Sequence, residues 1–528
     1  MGTQSAWRSH IISQSQRHCG FIVLLCTILY VYIVYSYVSH QAKTASEFPR
    51  YPIFPFAVEE LSLFADFMTS WCAQTRAKID WIRAQEPCVN EMAWRPGWNS
   101  LTQRNRTDVK KSYLALYDLR PAGEFSRLAI QTVDIDGVRK LFGGDSWRVN
   151  IRGPSSVSPL VLDHLNGTYE ILFLVKLPGI YTVQAVLEYT LCDGYKDPPI
   201  DWFIKGNAQG KYQPLDALPG YEKPFLLLPL WGSKPFKIKI PPVGRGKPLI
   251  DKLGYHFQFL NHVCSIKCRF LWEGEGAWMR LKWQPYTNGV LERQRQDFDA
   301  SKGTLWIYGD SVGDFFHRSI LRHPLCTKLF KHCNRTYNWV YNLPGANQTI
   351  GKILNDNLDF SIDRILHEIS LVLNSTQMRD NPHSVLVLNL GLHYVQNINF
   401  TKYQEMIDRV IGLLRGEETG EVGEVGRGFR GQVVWKTTTA INRERYGDPR
   451  KGAIHAKVIR FLTYQRVLLY NAYATNAMCN AGIDILDVFP MSNAHPNGTG
   501  LPHKRFDAVH YPAGTFTRAS DVLYKYFS

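Results

Sequence analysis

The chain changes its hydrophobic rhythm several times along its 528 residues. Gly20 to Val38 (GFIVLLCTILYVYIVYSYV) is apolar and carries no charge. As a helix these 19 residues rise about 28 Å, close to a hydrocarbon core of roughly 30 Å. A cleaved signal peptide has an apolar region of only about 7–15 residues, so the segment predicts a retained transmembrane anchor. Residues 1–19 contain Arg8 and Arg17 and no acid, which predicts a cytosolic tail and a luminal remainder, single-pass type II. Residues 39–117 read as a luminal stem. Within it, 57–85 places Leu61, Phe64, Phe67, Met68, Trp71 and Ile79 at helical spacing. From 118 to 235 the period becomes two. Tyr169, Ile171, Phe173 and Val175 alternate along one strand, and Tyr181, Val183, Ala185 and Leu187 along the next. Lys-Leu-Pro-Gly at 176–179 reads as the turn of a hairpin between them, and Leu128–Ile135 and Trp147–Ile151 are further strand-like runs. An all-β sandwich is predicted there. Residues 236–300, with Trp, Gly and Cys and no clear period, read as a connector. From 301 to 528, short apolar runs at Gly303–Tyr308, Ser384–Leu390, Gln432–Lys436 and Ile483–Val488 alternate with helical stretches at Val312–Leu321, Tyr403–Leu414 and Ala453–Asn480. That alternation predicts an α/β domain with a parallel sheet covered on both faces.

Hydrophobic residues at 45% and charged residues at 20% exclude a disordered chain. Lys and Arg outnumber Asp and Glu by 61 to 46, a net charge of +15. The excess is not gathered into a basic block and no nucleic-acid-reading motif is present, so the partners that fit are a membrane and an acidic glycan, with no nucleic acid. Beyond the anchor lie Cys72, Cys88, Cys192, Cys264, Cys268, Cys326, Cys333 and Cys479, an even set that suits up to four disulfides whose pairing sequence leaves open. Cys264-x3-Cys268 has no second Cys/His pair at zinc spacing, and no metal is predicted. Asn105, Asn166, Asn334, Asn347, Asn374, Asn399 and Asn497 head N-glycosylation sequons. The C-terminus is not an ER-retention signal, and a Golgi membrane glycoprotein is the expectation.

Three separated elements carry candidate chemistry. Tyr308-Gly-Asp-Ser311 ends the first apolar run of the α/β region and opens a helix. A serine there stands at the carboxyl edge of a parallel strand, where helix N–H groups favour developing negative charge. A serine hydroxyl needs a base, and a base needs an acid to fix its tautomer. Asp507-Ala-Val-His510, after the last strand, offers both from one loop. Asn389-Leu-Gly391-Leu-His393 follows the second strand. The amides of Ser311 and Gly391 with the Asn389 side chain could form an oxyanion hole, and His393 a substrate contact. Taken singly, each element also reads as a capped turn or a packed polar side chain.

Together, Trp306-Ile-Tyr-Gly-Asp-Ser311, Asn389-Leu-Gly391-Leu-His393, Val434-Trp-Lys-Thr-Thr438, Leu486-Asp-Val-Phe-Pro490 and Asp507-Ala-Val-His510-Tyr resemble the PC-esterase branch of the SGNH/GDSL acyl-esterases. Asn166-Gly-Thr-Tyr169 resembles the opening of a filamin/immunoglobulin-like sandwich module. With the anchor in front, the whole is similar to NXPE (neurexophilin and PC-esterase domain) proteins over roughly residues 120–528. The resemblance implies Ser311 as nucleophile, His510 as base and Asp507 as its orienter. The implied activity is O-acyl transfer to glycans, most simply O-acetyl transfer, or the matching hydrolysis. It implies no bound cofactor, with an acyl donor such as acetyl-CoA entering as substrate. Relatives carry Arg three residues after the serine. Here Asp314 stands in that place, and Arg318, one turn on, is the candidate substitute for substrate contact. The rival expectation is a non-catalytic glycan-binding or adhesion protein that keeps the fold.

Overall fold

A computed structural model describes residues 58–528 apart from 94–104, 200–201, 203–224, 233, 245–247, 254–260, 288, 294–296, 338–359, 418–427, 446–458 and 501–506. The expected tail, the expected anchor and Asn347 lie outside the described residues. Among the described residues no helix is long and apolar enough to cross a membrane.

Helix α1 spans Val58–Ala77. Its Phe67, Met68 and Trp71 are buried in the sandwich core, with the Phe67 ring centroid 5.2 Å from that of Phe125. Side chains of this size contribute roughly 1.5–3 kcal/mol each on full burial. The helix is also stapled to the rest of the fold by Cys72–Cys264.

The sandwich has two antiparallel sheets. Strands β1 (Tyr113–Asp118), β2 (Phe125–Gln131), β5 (Leu160–Asp163) and β6 (Thr168–Leu174) form one, in the order β1-β2-β6-β5. The other contains β3 (Ser146–Arg152), β4 (Ser156–Val157), β7 (Gly179–Tyr189), β8 (Leu228–Pro229), β9 (Phe236–Ile240), β10 (Gly276–Met279) and β11 (Lys282–Pro285). The expected hairpin between β6 and β7 does not form. The chain at 176–179 crosses from one sheet to the other, β6 pairing with β2 and β5, and β7 with β3, β8 and β9. Both strands alternate because their inward residues, Tyr169, Ile171 and Phe173 against Tyr181, Val183 and Leu187, meet in one core. Periodicity reports which face is buried and not which strand is the neighbour.

The supposed connector is structural. It supplies β9, β10 and β11 to the second sheet, and Phe270 forms a parallel bridge with Ile485 of the α/β layer. Trp272 and Trp278 each donate an indole N–H to a backbone carbonyl there, of Asp487 at 2.8 Å and Met491 at 2.7 Å. Aromatic side chains facing two neighbours at once leave no period of two or 3.6 to read. Residues 63–528 accordingly form one compact unit.

The C-terminal sheet is parallel: β12 (Thr304–Gly309), β13 (His332–Tyr337), β14 (Val385–Leu388), β15 (Gln432–Lys436) and β16 (Asp484–Leu486), in the order β13-β12-β14-β15-β16. Strand β13, HCNRTY, is an edge strand without a buried residue, which is why no apolar run announces it. Helices α2 (Ser311–Ile320), α3 (Ile362–Leu373), α4 (Leu392–Asn397), α5 (Phe400–Arg415), α6 (Tyr464–Asn480), α7 (Phe489–Asn493) and α8 (Thr517–Phe527) accompany the sheet. All eight candidate cysteines are paired: Cys72–Cys264, Cys88–Cys192, Cys268–Cys479 and Cys326–Cys333. Cys264 and Cys268 belong to different bridges, which removes the thiol pair a zinc ion would have needed.

Candidate active site

The chain leaves β12 toward β13 on one side and later returns to β14 on the other. Loops that diverge in this way open a crevice at the carboxyl ends of the strands. Ser311 follows β12 and Gly391 follows β14, so both stand at its rim.

Asp310 is the N-cap of α2, its carboxylate accepting from the amides of Val312 at 2.8 Å and Gly313 at 3.4 Å. That leaves Ser311 as the first helical residue. The turn is tight, since a Cβ on Gly309 would lie 3.2 Å from the carbonyl oxygen of Asn389.

Asp507 Oδ1 accepts from the amides of Val509 at 2.9 Å and His510 at 3.0 Å, folding Asp-Ala-Val-His into one turn. Asp507 Oδ2 lies 2.7 Å from His510 Nδ1, and His510 Nε2 lies 2.7 Å from Ser311 Oγ. Burial alone would raise the Asp507 carboxyl, but the bonds from the His510 ring and from the two amides, with the imidazole's charge, hold it well below the ordinary carboxylate range. The His510 ring packs 5.2 Å from Phe315.

Asn389 does not face the serine as a donor. Its Nδ2 donates to Lys436 O at 2.8 Å and Thr438 Oγ1 at 3.2 Å, so both protons tie β14 to the end of β15. The expected oxyanion role of this side chain is therefore replaced by a bracing one. The amides of Ser311 and Gly391 make no hydrogen bond among the described residues. Gly391 is sterically required, because a Cβ there would sit 2.6 Å from Thr438 Oγ1 and 2.7 Å from Asn389 Oδ1. His393, in the first turn of α4, feels both Asp310 and His510, and burial pushes its pKa down to about 4, so the ring is neutral.

Asp314 pairs with Arg318 at 2.6 Å and with Arg335 of β13. Arg318 also lies over the Phe315 ring at 5.3 Å. Arg318 is thus held by Asp314 and by the Phe315 ring, which itself packs against His510.

Lys436 lies in Val434-Trp-Lys-Thr-Thr438, where the sequence pattern assigns it no role. It is 1% exposed, its ammonium donates to Thr437 O at 3.3 Å, and Asp310 is the charge that acts on it. Burial, opposed by Asp310, brings its pKa down to about 8. The visible signal is a lysine directly after the apolar run Val433-Val-Trp435. Asp487, at the end of β16, accepts from the Phe489 amide at 3.1 Å and also pairs with Lys78 at 2.9 Å. Those two side chains line a cleft of about 150 Å³ with Trp147, Tyr169, Tyr464 and Phe489, and neither Ser311 nor His510 borders it.

Of the sequon asparagines, Asn105, Asn166, Asn374 and Asn497 are exposed. Asn334 and Asn399 are half-buried, and Asn399 Oδ1 caps α5 by accepting from the Lys402 amide at 2.8 Å.

No protein-family model matches the chain. Among solved structures it is similar to the Lin-41 filamin domain, at 17% identity and a TM-score of 0.14, over 16% of this chain and 82% of that one. A score so low bears on neither the fold as a whole nor the serine site.

Proposed function

We propose that the protein is a serine acyltransferase or esterase that transfers or removes O-acyl groups, principally O-acetyl, on glycans in the Golgi lumen. The observation that carries this reading is the hydrogen-bonded chain Ser311–His510–Asp507 at the carboxyl edge of the parallel sheet. Asp507 holds the proton of His510 on Nδ1, which leaves Nε2 as an acceptor for the Ser311 hydroxyl. Ser311 Oγ attacks the acyl carbonyl as His510 takes its proton. The negative charge that develops on the carbonyl oxygen is met by the amides of Ser311 and Gly391, at the N-termini of α2 and α4. His510 then gives its proton to the leaving group, a thiol if the donor is an acetyl-CoA-like thioester. A sugar hydroxyl or water, deprotonated by His510, attacks the acyl-serine and releases the product. Neutral His393 on α4 borders the same space and contributes a hydrogen-bonding group without added charge.

Placement in a type II Golgi membrane protein is supported by the apolar segment 20–38, the sequons and the four disulfides, which form in an oxidising compartment. The test is labelling of the full-length chain with a fluorophosphonate, together with mass spectrometry of the Ser311 peptide after incubation with acetyl-CoA. Phosphonylation and acetylation at Ser311, both absent in Ser311→Ala, are expected. An unreactive Ser311 would leave a glycan-binding protein that keeps the fold.

A further inference from the structure

The loop after β15 runs beside the loop that bears Asp507 and His510. Asn442 N donates to Ala508 O at 2.9 Å, and the Tyr511 hydroxyl donates to Ala440 O at 2.9 Å. The next residue, Arg443, is 6% exposed. Its guanidinium lies 4.4 Å from the Phe225 ring centroid and 5.4 Å from that of Tyr189. Among the described residues it makes no hydrogen bond and no ion pair, and Nη1 is enclosed without a partner.

The nearby carboxylates are engaged elsewhere. Glu188 and Glu444 both pair with Arg148, at 2.6 and 3.0 Å, and Asp193 pairs with Arg106 at 3.0 Å. The Tyr189 hydroxyl is also buried and without a partner. A second guanidinium, Arg460, lies 5.4 Å from the same Tyr189 ring. Burial and then Arg460, opposed by Glu188, bring the Arg443 pKa down to about 9, so it is still cationic at neutral pH. A guanidinium offers five donors and no acceptor, and burying one unpaired costs several kcal/mol. Such a group is kept where an anion completes it. Arg445, two residues beyond Arg443, acts electrostatically on Tyr511, the neighbour of His510.

We propose that Arg443 and the Tyr189 hydroxyl form a receptor for an oxyanion, carboxylate or phosphate, on a molecule processed at Ser311; this rests on the acyl-transfer reading above. The oxyanion accepts from the Arg443 guanidinium and from the Tyr189 O–H, with the Phe225 face as an apolar wall. Two sources share this chemistry: the carboxylate of an acidic sugar and the phosphate of a nucleotide-bearing acyl donor.

The test is calorimetric titration of the full-length chain with glucuronate and with adenosine 3′,5′-bisphosphate, at ionic strength held constant with chloride. Saturable binding of at least one probe is expected, weakened about tenfold or more by Arg443→Met and severalfold by Tyr189→Phe. The second variant removes only an unpartnered hydroxyl and keeps the test alive should Arg443→Met not fold. Preference for glucuronate assigns the receptor to the acceptor sugar, and preference for the bisphosphate assigns it to the donor. No binding beyond chloride, or binding unchanged in both variants, overturns the proposal. Fluorophosphonate labelling of Ser311 in the same preparations separates the two readings. Anion binding without labelling keeps the receptor and removes the acyl chemistry; labelling without anion binding does the reverse.

Discussion

His510 Nε2 lies 2.7 Å from Ser311 Oγ, although 199 residues separate them in the chain. Strand β12 carries the serine to the rim, and the loop ahead of α8 brings the imidazole to meet it. Hydroxyl, imidazole and carboxylate therefore touch in a single line, and the proposed acyl transfer rests on that arrangement.

Asp507→Asn tests the third member of that line. The Asp507 carboxyl is held below its ordinary value, so its stabilising contribution is fully present above about pH 4 and is lost as pH falls below that. Between pH 5 and 8 it is a carboxylate throughout, and pH effects on rate in this range come from other groups. Asp507→Asn is expected to slow fluorophosphonate labelling of Ser311 by about 10³–10⁴-fold and to lower the urea midpoint at pH 7, where the charged carboxylate contributes to stability. Labelling at the wild-type rate would show that Asp507 plays no part in orienting His510.

Gly391→Ala addresses the oxyanion edge. The added Cβ would meet Thr438 Oγ1 at 2.6 Å and Asn389 Oδ1 at 2.7 Å, so the turn must move and carry its amide with it. Loss of one such donor costs on the order of 10²–10³ in rate. The expected result is that loss in turnover of an activated acetyl ester, with His510 and Ser311 still paired. Unimpaired turnover would place the oxyanion elsewhere.

Lys436→Met reads out the buried ammonium. Folding lowers this lysine from 10.5 to about 8, so the unfolded chain binds more protons between those values and stability rises with pH across that window. Below about pH 8 the full penalty applies. The variant is expected to raise stability at pH 7 by roughly 3 kcal/mol and to flatten the rise between pH 8 and 10.5. Urea titrations at pH 7 and pH 10 check it, and an unchanged pH slope would exclude a perturbed lysine.

The four disulfides differ in the length of chain they constrain. Cys268–Cys479 spans 211 residues and Cys326–Cys333 spans 7. Loop-closure entropy gives roughly 5 kcal/mol for the first and roughly 2 kcal/mol for the second. Paired Cys→Ser variants are expected to lower the urea midpoint in that order. The longer bridge also ties the segment leading into Phe270 to the end of α6. An equal loss in both variants would show that local packing, not chain constraint, sets the effect.

Sequence by itself determined the parts that rest on local chemistry. The runs read at Gly303–Tyr308, Ser384–Leu390, Gln432–Lys436 and Ile483–Val488 overlap the parallel strands 304–309, 385–388, 432–436 and 484–486, because strands covered on both faces are mostly apolar. Ser311 was legible as a strand-end, helix-start serine, and Asp507-x-x-His510 as an acid and a base within one turn, since both follow from short-range backbone geometry. Tertiary structure decided what depends on partners far away in sequence. It paired the cysteines, sent β6 and β7 to opposite sheets, and turned the aromatic stretch 236–300 into a seam between two layers. It also engaged both amide protons of Asn389 at β15, and enclosed Lys436 and Arg443 where no local pattern announces burial. The physical reason is that periodicity records whether a side chain is buried, whereas hydrogen-bond partners and the neighbourhood of a charge are fixed only when the layers close over it.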